Sequence, residues 1–388
     1  MAFGCGRCEE LTDMSRTTLS VKTRLLVWVR AGGRCEYPGC NKLLLRDDLT
    51  ATEMNRSYFA HIVADSPDGP RGDPVLSPLL KDDPSNVMLL CDDHHRLIDR
   101  EAVAEHPVDV LARYKREHEE RIESLTGMHP SMRSHVVLFG TRISTRAANV
   151  NYDQARDAML PDHYPVVPGT VCLDISDLDV NEGDPNYYPL VQQLVDRKLL
   201  ELESLMGQSG VNHASVFALA PIPALIYFGH RLGDIRKADV HQLHRGALRW
   251  KWKDVDKPLD LQVDRRASVA RSPEIVVLLS LSDPVDADAF RDFLGKSLPT
   301  YAITMNAPRL DFLQTREQVE EFLGVWRVLI GETRRSHGNA CQVHLVPAIP
   351  NAIAVEIGRS LNPKTHPRLH IYDYNSRWPD QFRLAMTI

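Results

Sequence analysis

The chain has 388 residues, more than one ordinary hydrophobic core includes, so we expect two or three domains. Its 43% hydrophobic and 25% charged residues are typical of a soluble globular protein, and seven unevenly placed cysteines favour a reducing cytoplasm over a disulfide framework. The net charge of −6 argues against a broadly basic surface for nucleic acid, and the sequence shows no membrane-spanning apolar run and no signal peptide.

The first sixty residues predict a leader and a few short elements. Residues 1–13 (MAFGCGRCEELTD) match no element, and we expect a disordered leader there. A short helix is predicted over 20–35 and ends at its Gly-Gly pair, after which CEYPGC forms a tight turn. Short strands are predicted at 43–45 (LLL) and at 58–63 (YFAHIV).

A loop and two helices complete the first predicted domain. The loop covers 65–73 (DSPDGPRGD), and the stretch CDDHHRLIDR starts a helix with two acids in its first turn, where the helix dipole favours them. A polar helix is predicted over 106–125. Beyond it the periodicity is lost and prolines accumulate, so we place the first domain at 14–127 and a linker at 128–165.

Four potential metal ligands occur as two close pairs. Cys35 and Cys40 form C-x4-C, and Cys91 with His94 forms C-x2-H about fifty residues later. Two pairs of soft and borderline ligands suit a tetrahedral zinc ion. We therefore predict a structural zinc that stabilises this small domain, the alternative being two buried cysteines near a surface histidine.

A second metal site is predicted beside the first. His95 and Asp99 are four residues apart and lie on one helix face, so both can reach a second ion. Asn86 lies upstream of His95, and His61 lies in the predicted strand. A histidine can deprotonate water near neutral pH, and a hard divalent cation can neutralise charge on phosphoryl oxygens.

The set His61, Asn86 and His95, interleaved with the cysteine pairs, resembles the HNH nucleases of the ββα-metal type. The resemblance implies that His61 is the general base and that His95, with Asp99, binds Mg²⁺ or a similar divalent cation. It implies that Asn86 fixes the loop or also contacts the metal. Many members have an acid or a histidine just before the first histidine, whereas this chain has Ala60.

The charge of the first domain is unusual for a DNA-binding protein. Through Gly127 the chain has 17 lysines and arginines against 22 aspartates and glutamates. A single copy should therefore bind DNA weakly. This balance favours a nuclease that acts only when several copies assemble.

The second half of the chain looks duplicated. The stretch 172–180 (CLDISDLDV) resembles 278–286, and 216–232 resembles 343–361, where each copy has an apolar strand, Ile-Pro, a helix and Gly followed by a base. Each copy then reaches another strand, in 239–245 or 368–374. Two parallel-sheet α/β units are therefore predicted, and without a Walker loop or G-x-G-x-x-G they look like a sensor.

Residues 166–388 resemble a SAVED domain, and their C-terminal stretch HGNACQVHLVPAIPNAIAVEIGRSLNPKTHPRLHIYDYN is the most specific part. The fold class implied is an α/β multidomain protein, with an N-terminal ββα-metal (HNH) nuclease domain and a C-terminal SAVED domain of two fused CARF-like Rossmann halves (166–270 and 271–388). This combination resembles the effector nucleases of cyclic-oligonucleotide anti-phage signalling (CBASS). It implies activation by a cyclic di- or oligonucleotide from a partner synthase, and assembly from dimer to tetramer.

Candidate ligand contacts in this half are strand-end serines, aromatic residues able to stack on bases, basic residues able to neutralise phosphates, and the loop SHGN. They are Ser176, Ser282, Tyr227, Trp250, Trp252, Tyr372, Tyr374, His230, Arg359, Lys364, His337 and Asn339. For any single aromatic residue, packing in the core is the favoured alternative.

Three functions remain open from the sequence. The first is a cyclic-nucleotide-activated endonuclease that degrades double-stranded DNA in a bacterial anti-phage defence system. The second is a DNA-binding adaptor held together by zinc, without nuclease activity, which Ala60 supports. The third is a modification-dependent restriction endonuclease whose C-terminal half binds modified bases.

Overall fold

A computed structural model describes residues 18–46, 52–143, 146–148, 150–178, 180, 182–244, 250–255, 257–266, 271–362, 366–375 and 381–388. The predicted leader and Lys364 lie outside these residues. The chain divides after Met128 into two compact units, called unit 1 and unit 2 below. Within the described ranges, no helix combines the length and apolar character that a membrane crossing requires.

Unit 1 is built on a two-stranded antiparallel sheet with a helix directly behind it. Its elements are α1 (Val21–Arg30), β1 (Tyr58–His61), α2 (Leu76–Leu80), β2 (Val87–Leu90), α3 (Asp92–Arg96) and α4 (Val108–Thr126). A wide π-helical turn, Leu97–Glu101, continues α3. The four residues of β2 are all buried and form the centre of the unit 1 core.

The first helix has the boundaries that its flanking residues require. Ser20 caps α1 by accepting a hydrogen bond from the Thr23 N–H (3.1 Å). Gly32 and Gly33 have φ of 62° and 67°, a left-handed conformation that glycine adopts readily, and they turn the chain just after the helix. The predicted strand at 43–45 is wrong, because only Leu43 forms an isolated bridge.

Unit 2 contains two mostly parallel sheets. Its strands are β3 (Arg133–Ile143), β4 (Arg146–Ala148), β5 (Tyr164–Asp174), β6 (His213–Ala218), β7 (Lys237–His241), β8 (Leu261–Arg266), β9 (Glu274–Ser280), β10 (Thr300–Met305), β11 (Gln342–Ala348), β12 (Arg368–Tyr374) and β13 (Phe382–Thr387). Its helices are α5 (Tyr152–Met159), α6 (Tyr187–Ser209), α7 (Ile222–Leu232), α8 (Ala287–Leu294), α9 (Arg316–His337) and α10 (Asn351–Ser360).

The two sheets have the same strand arrangement, which supports the predicted duplication. The first runs β5-β3-β6-β7, all parallel, and β4 adds an antiparallel hairpin to β3. The second runs β10-β9-β11-β12 in parallel and is flanked by antiparallel β8 and β13. The predicted architecture of two fused Rossmann-like halves is therefore confirmed.

One predicted correspondence between the halves is wrong. The stretch that matches β9 (Glu274–Ser280) by topology is β3 (Arg133–Ile143), and 172–180 covers the end of β5 instead.

The linker predicted at 128–165 is also corrected. This segment contains β3, β4, α5 and the start of β5, and the first half therefore begins near 133. Val136, Val137 and Phe139 are fully buried, because β3 is an interior strand of the first sheet. A completely buried strand shows a short apolar run without alternation, and proline-rich flanks concealed it.

The two halves meet where α7 and α10 cross. A Cβ added to Gly229 would lie 2.0 Å from the Val355 carbonyl oxygen, and one added to Gly358 would lie 2.0 Å from the Ile226 carbonyl oxygen. The two glycines are the predicted repeat positions that precede a base. Each therefore lets the partner backbone approach in the same way, and the contact is nearly symmetric.

We expect Gly229→Ala to destabilise unit 2 by about 1–3 kcal/mol or more, because the new methyl group would overlap the backbone of α10, which cannot move away without disturbing the helix. The matched control is Gly324→Ala, in the middle of α9, where an added Cβ meets nothing within 4 Å. The control should be neutral or stabilising by up to about 1 kcal/mol. Chemical unfolding measures the stability of each variant, and hydrogen exchange in peptides of α7 and α10 locates the change. An equal loss of stability in Gly229→Ala and Gly324→Ala would contradict the close contact of the two helices.

A buried hydrogen bond also joins the halves. The Tyr188 hydroxyl in α6 donates to the Asp373 carboxylate in β12. Burial, more than any neighbouring charge, raises the pKa of Asp373 to about 6 and raises the pKa of Tyr188 as well. The native state therefore keeps a proton on Asp373 at a pH where the unfolded chain has released it.

We expect the contribution of Asp373 to the stability of unit 2 to be lost as the pH rises from about 4 to about 6, because its folded pKa lies above its ordinary value. Asp373→Asn keeps an acceptor for Tyr188 and removes this titration, so it should gain on the order of 1 kcal/mol above pH 6 and nothing near pH 3.5. Urea unfolding at several pH values measures the difference. The exposed control Asp254→Asn should show no such pH dependence.

Candidate functional site

The β1–β2 hairpin and α3 of unit 1 bring the predicted catalytic residues to one surface. In the antiparallel register, Tyr58 lies opposite Leu90 and His61 opposite Val87. Because α3 begins two residues after β2, His95 returns beside the start of β1 and its ring stacks on Tyr58 (4.9 Å between centroids, 15° between planes). His61, His95 and Asp99 line one cleft of about 400 Å³.

His61 has one ring nitrogen fixed by the backbone. Its Nε2 lies 2.9 Å from the carbonyl oxygen of Lys81, which can only accept a hydrogen bond. Nε2 therefore carries the ring proton, and Nδ1 is the nitrogen that can take a proton. The half-buried ring has the tautomer and the position that a general base requires.

Asn86 has a structural position. Its Oδ1 accepts from the Val63 N–H (2.8 Å), and its Nδ2 donates to the carbonyl oxygens of Val63 (2.8 Å) and Leu80 (3.2 Å). The side chain is 4% exposed and does not line the cleft. Of its two predicted roles, the structure has the loop-fixing one, and the metal-ligand role is corrected because the amide oxygen already accepts inside the loop.

His95 and Asp99 meet as their spacing predicts. Nε2 of His95 lies 3.3 Å from Oδ2 of Asp99. Neighbouring ligands of an octahedral ion with metal–oxygen distances near 2.1 Å are about 3 Å apart, so the two atoms are spaced as a ligand pair for one hard cation. Ala60 is 1% exposed and packs in the core, so an acid at this position would be buried rather than face the cleft.

The four zinc-ligand candidates converge in a separate cluster. The ligand atoms of Cys35, Cys40, Cys91 and His94 all lie within 4.8 Å of one another. Nδ1 of His94 is 3.1 Å from Sγ of Cys91 and 3.6 Å from Sγ of Cys35. This Cys3His set at tetrahedral spacing fits a zinc ion.

Hydrogen bonds of the backbone hold the two ligand pairs together. The Glu36 N–H donates to the Leu89 carbonyl oxygen (2.9 Å), which places the cysteine turn against β2 next to Cys91. Burial raises the pKa of the Cys35 and Cys91 thiols. A divalent cation would offset that burial by stabilising the thiolates. The His94 ring also stacks on Tyr37 (4.1 Å, 8°), which fixes its direction.

In unit 2, only some candidate ligand contacts lie where parallel sheets bind ligands, at the carboxyl ends of their strands. Ser176 follows β5, and its hydroxyl donates to Asp174. Ser282 follows β9, and its N–H donates to the Ala348 carbonyl oxygen (2.8 Å). Tyr374 ends β12, with its hydroxyl donating to the Pro284 carbonyl oxygen (3.2 Å).

The other aromatic candidates are packed inside unit 2. Trp250 is 2% exposed and contacts Phe217 edge-on, and Tyr372 is 5% exposed with its hydroxyl 2.8 Å from Nδ1 of His344. Trp252 packs against the main core. The Tyr227 hydroxyl donates to Asp196 of α6 (3.1 Å). Base stacking by these four is corrected to core packing, which was the favoured alternative.

The basic and polar candidates lie at the wrong edge of the sheets for a phosphate. His230 and Arg359 are near the ends of α7 and α10, which run back from the carboxyl edge toward the amino edge. His337 is buried, 2.8 Å from the Tyr301 hydroxyl, and Asn339 accepts from Arg334 just before β11. Arg359 donates to the carbonyl oxygens of Gly233, Arg236 and Ala238.

Family comparisons match both units. A model described as HNH endonuclease matches residues 55–104, which contain the hairpin, α3 and most of the residues that line the cleft. A model described as the SMODS-associated and fused to various effectors sensor domain, SAVED, matches residues 197–388. The chain joins an HNH endonuclease domain to a SAVED sensor domain. No match was found among curated proteins.

Solved structures similar to this HNH–SAVED chain are SAVED/CARF-domain containing receptors. The Acinetobacter baumannii Cap4 receptor with the cyclic trinucleotide 2′3′3′-cAAA has a TM-score of 0.44 and 11% identity over 72% of this chain and 55% of that chain. A second structure of that receptor has a TM-score of 0.43 and 11% identity, over 79% of this chain and 62% of that chain. The Moraxella osloensis Cap4 receptor has a TM-score of 0.41 and 12% identity, over 72% of this chain and 57% of that chain. The HNH–SAVED chain thus spans 55% to 62% of the length of these receptors.

Arg71 is a residue of the HNH site that the sequence did not single out. Its guanidinium donates to the carbonyl oxygens of Ile62 (2.9 Å) and Ile98 (2.6 Å) and to Oδ1 of Asp99 (2.6 Å). It thereby joins the end of β1 to the π-helical turn and directs Oδ2 of Asp99 toward His95. Arg71 is the one basic residue of the loop 65–73, and that was the available signal.

We expect Arg71→Lys to loosen the HNH site, because an ammonium group cannot replace a planar guanidinium that donates to four acceptors, the fourth being the His61 carbonyl oxygen (3.3 Å). Arg71 also has φ of 62°, so without its contacts the backbone has no reason to keep that conformation. Hydrogen exchange should rise by about tenfold in peptides of β1 and 92–101, since one or two hydrogen bonds to buried groups are lost. The exposed control Arg100→Lys should change little, and equal exchange in both variants would contradict this role.

Proposed function

We propose that the chain is a DNA endonuclease activated by a cyclic di- or oligonucleotide, acting in the cytoplasm as an effector of a bacterial anti-phage defence system. The observation that carries the proposal is the presence of both parts in one chain: an HNH cleft with His61 and His95 in place, and a SAVED sensor domain. An enzyme fused to a sensor is expected to be gated by what the sensor binds.

In the proposed reaction, His61 takes a proton from the attacking water at Nδ1 while Nε2 keeps its hydrogen bond to the Lys81 carbonyl oxygen. His95 and Asp99 would hold Mg²⁺ or a similar divalent cation, which supplies charge neutralisation for phosphodiester hydrolysis when bound. Tyr58 holds the His95 ring by stacking, and Arg71 holds the Asp99 carboxylate. Asn86 keeps the loop closed behind His61.

Zinc is the proposed occupant of the Cys3His cluster. Cys91 and His94 flank the start of α3, so a zinc ion there would fix the helix that carries His95. Its role would be structural, because the four ligands leave no open position for a substrate.

Double-stranded DNA is the proposed substrate, and assembly from dimer to tetramer is the proposed route to activity. The acidic charge balance of the HNH domain gives a single copy little attraction for phosphates. Several domains brought together would each add a few contacts, and the effective concentration of the second would be high. Assembly would then convert weak binding into cutting of both strands.

The proposed ligand site is the carboxyl edge of the two SAVED sheets. Ser176, Ser282 and Tyr374 lie there, one after β5 and two beside the β9–β12 edge. Polar side chains and backbone groups at such an edge bind nucleotides in many parallel α/β folds. Two matching halves suit a ligand that is itself nearly twofold symmetric.

We expect purified protein with Mg²⁺ to degrade plasmid DNA only when one member of a panel of cyclic di- and trinucleotides is present. His61→Ala should lower the cutting rate at least about 100-fold, because the base is removed, while calorimetric binding of the activating nucleotide stays unchanged. The control His129→Ala replaces an exposed histidine and should keep both properties.

Each other outcome favours a different function. Cutting without any nucleotide would overturn the gating, and zinc binding without cutting under any ligand would favour the adaptor. Binding of modified DNA, but of no cyclic nucleotide, would favour modification-dependent restriction.

A further inference from the structure

A second group of metal ligands lies in unit 2, away from the cysteines. His163, His213 and Asp239, called the His2Asp cluster below, each offer one ligand atom, and these atoms lie within 4.8 Å of one another. His163 immediately precedes β5, His213 begins β6, and Asp239 lies in β7. The cluster is therefore near the amino edge of the first sheet, opposite the proposed nucleotide site.

The rings and the carboxylate are already arranged around a common point. Nδ1 of His163 lies 3.2 Å from Oδ2 of Asp239, and the His163 and His213 rings stack with 4.0 Å between centroids. His213 and Asp239 lie on adjacent parallel strands, and His213 is opposite Lys237 in the register. Their side chains therefore project from the same face of the sheet.

A buried network fixes the direction of His213. Its Nδ1 lies 2.8 Å from Oγ of Ser134, and that hydroxyl lies 2.9 Å from Oγ of Ser215. Both serines are 0% exposed. A ligating histidine commonly has its second ring nitrogen held in this way, which leaves Nε2 of His213 for an ion.

The carboxylate of Asp239 has an unmet requirement. Its Oδ2 is enclosed and, among the described residues, none donates to it with hydrogen-bond geometry, although His163 and Arg316 lie 3.2 and 3.3 Å away. An enclosed carboxylate oxygen without a donor is costly, and a bound cation would remove that cost. This oxygen is the atom that faces the two histidines.

Arg316 of α9 is the main competitor for this carboxylate. Its guanidinium pairs with Asp239 and also with Asp162 (3.5 Å). It can therefore keep Asp162 as a partner when Asp239 turns to an ion. Because it adds positive charge beside the cluster, its removal should strengthen cation binding.

We propose that the His2Asp cluster binds a transition-metal dication of the Zn²⁺ class. Two imidazoles with one carboxylate suit zinc or its neighbours rather than Mg²⁺ or Ca²⁺, which prefer oxygen ligands. Half-buried side chains leave room for a water as fourth ligand. The ion connects three strands of the first SAVED half near their amino ends, so it stabilises that half.

The test counts zinc in the full chain, in a His95→Ala background that removes the catalytic metal site. After chelator treatment and reloading, zinc is measured by mass spectrometry on gel-filtered protein. We expect two equivalents in this background and one in His213→Asn and in His163→Asn. The exposed control His129→Asn should keep two.

A second variant tests the site without removing a ligand. Arg316→Gln should keep two equivalents and tighten the weaker one by about tenfold in competition with a chromophoric chelator, because a positive charge is removed. Zinc should also raise the unfolding temperature of unit 2 in the background protein, but not in His213→Asn. Two equivalents in both histidine variants, a single background equivalent that the histidine variants keep, or no tightening in Arg316→Gln would each overturn the proposal.

The cysteine cluster is tested in the same experiment. Cys40→Ser should lose the zinc equivalent that the cysteine cluster binds. When Co²⁺ replaces zinc, thiolate-to-metal absorption arises at the cysteine cluster and not at the His2Asp cluster, which distinguishes the two sites. A cysteine variant that keeps both equivalents would refute the structural zinc and leave the second site standing.

Discussion

The contact between the cysteine turn (35–40) and the end of β2 positions the four zinc-ligand candidates and the start of α3 in unit 1. Glu36 joins the turn to Leu89 through the backbone, and Cys91 and His94 follow within five residues. The start of α3 is therefore fixed from two sides, and its cleft-lining face begins at His95. A short hairpin and a five-residue helix could not hold such a site by hydrophobic burial alone. His94 therefore faces the cysteines while His95 faces Asp99, because adjacent helical residues point about 100° apart.

Unit 2 depends on a different kind of constraint, the close approach of two backbones. At the α7–α10 crossing each helix presents a glycine to the carbonyl oxygens of the other, and the halves share one continuous core around that point. Because the two halves have equivalent strand orders, the same residue type is required twice.

Features encoded by short spacing were predictable, and features that depend on the fold were not. The ligand pairs around Cys35 and Cys91 follow from local pattern and meet in one cluster. His61 and His95 line one cleft as expected, whereas Asn86 fixes the loop and does not line it. Trp250 and Tyr372 could not be assigned, since an aromatic residue suits a base or a core equally well. Arg71 acts only through contacts made across the hairpin. The prediction that His230 and Arg359 contact a phosphate could have been avoided from the sequence. A crossover helix runs opposite to its strands, so its last residues lie far from the carboxyl edge of the sheet.

Arg359 has a consequence for how the protein avoids unwanted partners. β7 is the last strand of the first sheet, whereas the equivalent strand of the second sheet is covered by β13. An uncovered outermost strand invites pairing with any extended chain, and among the described strands β7 is paired only with β6. The Arg359 guanidinium donates to the carbonyl oxygens of Arg236 and Ala238, so acceptors that a foreign strand would use are already occupied. Arg359, predicted to contact a phosphate, instead occupies hydrogen-bond acceptors at the open edge of the sheet, which disfavours edge-to-edge pairing.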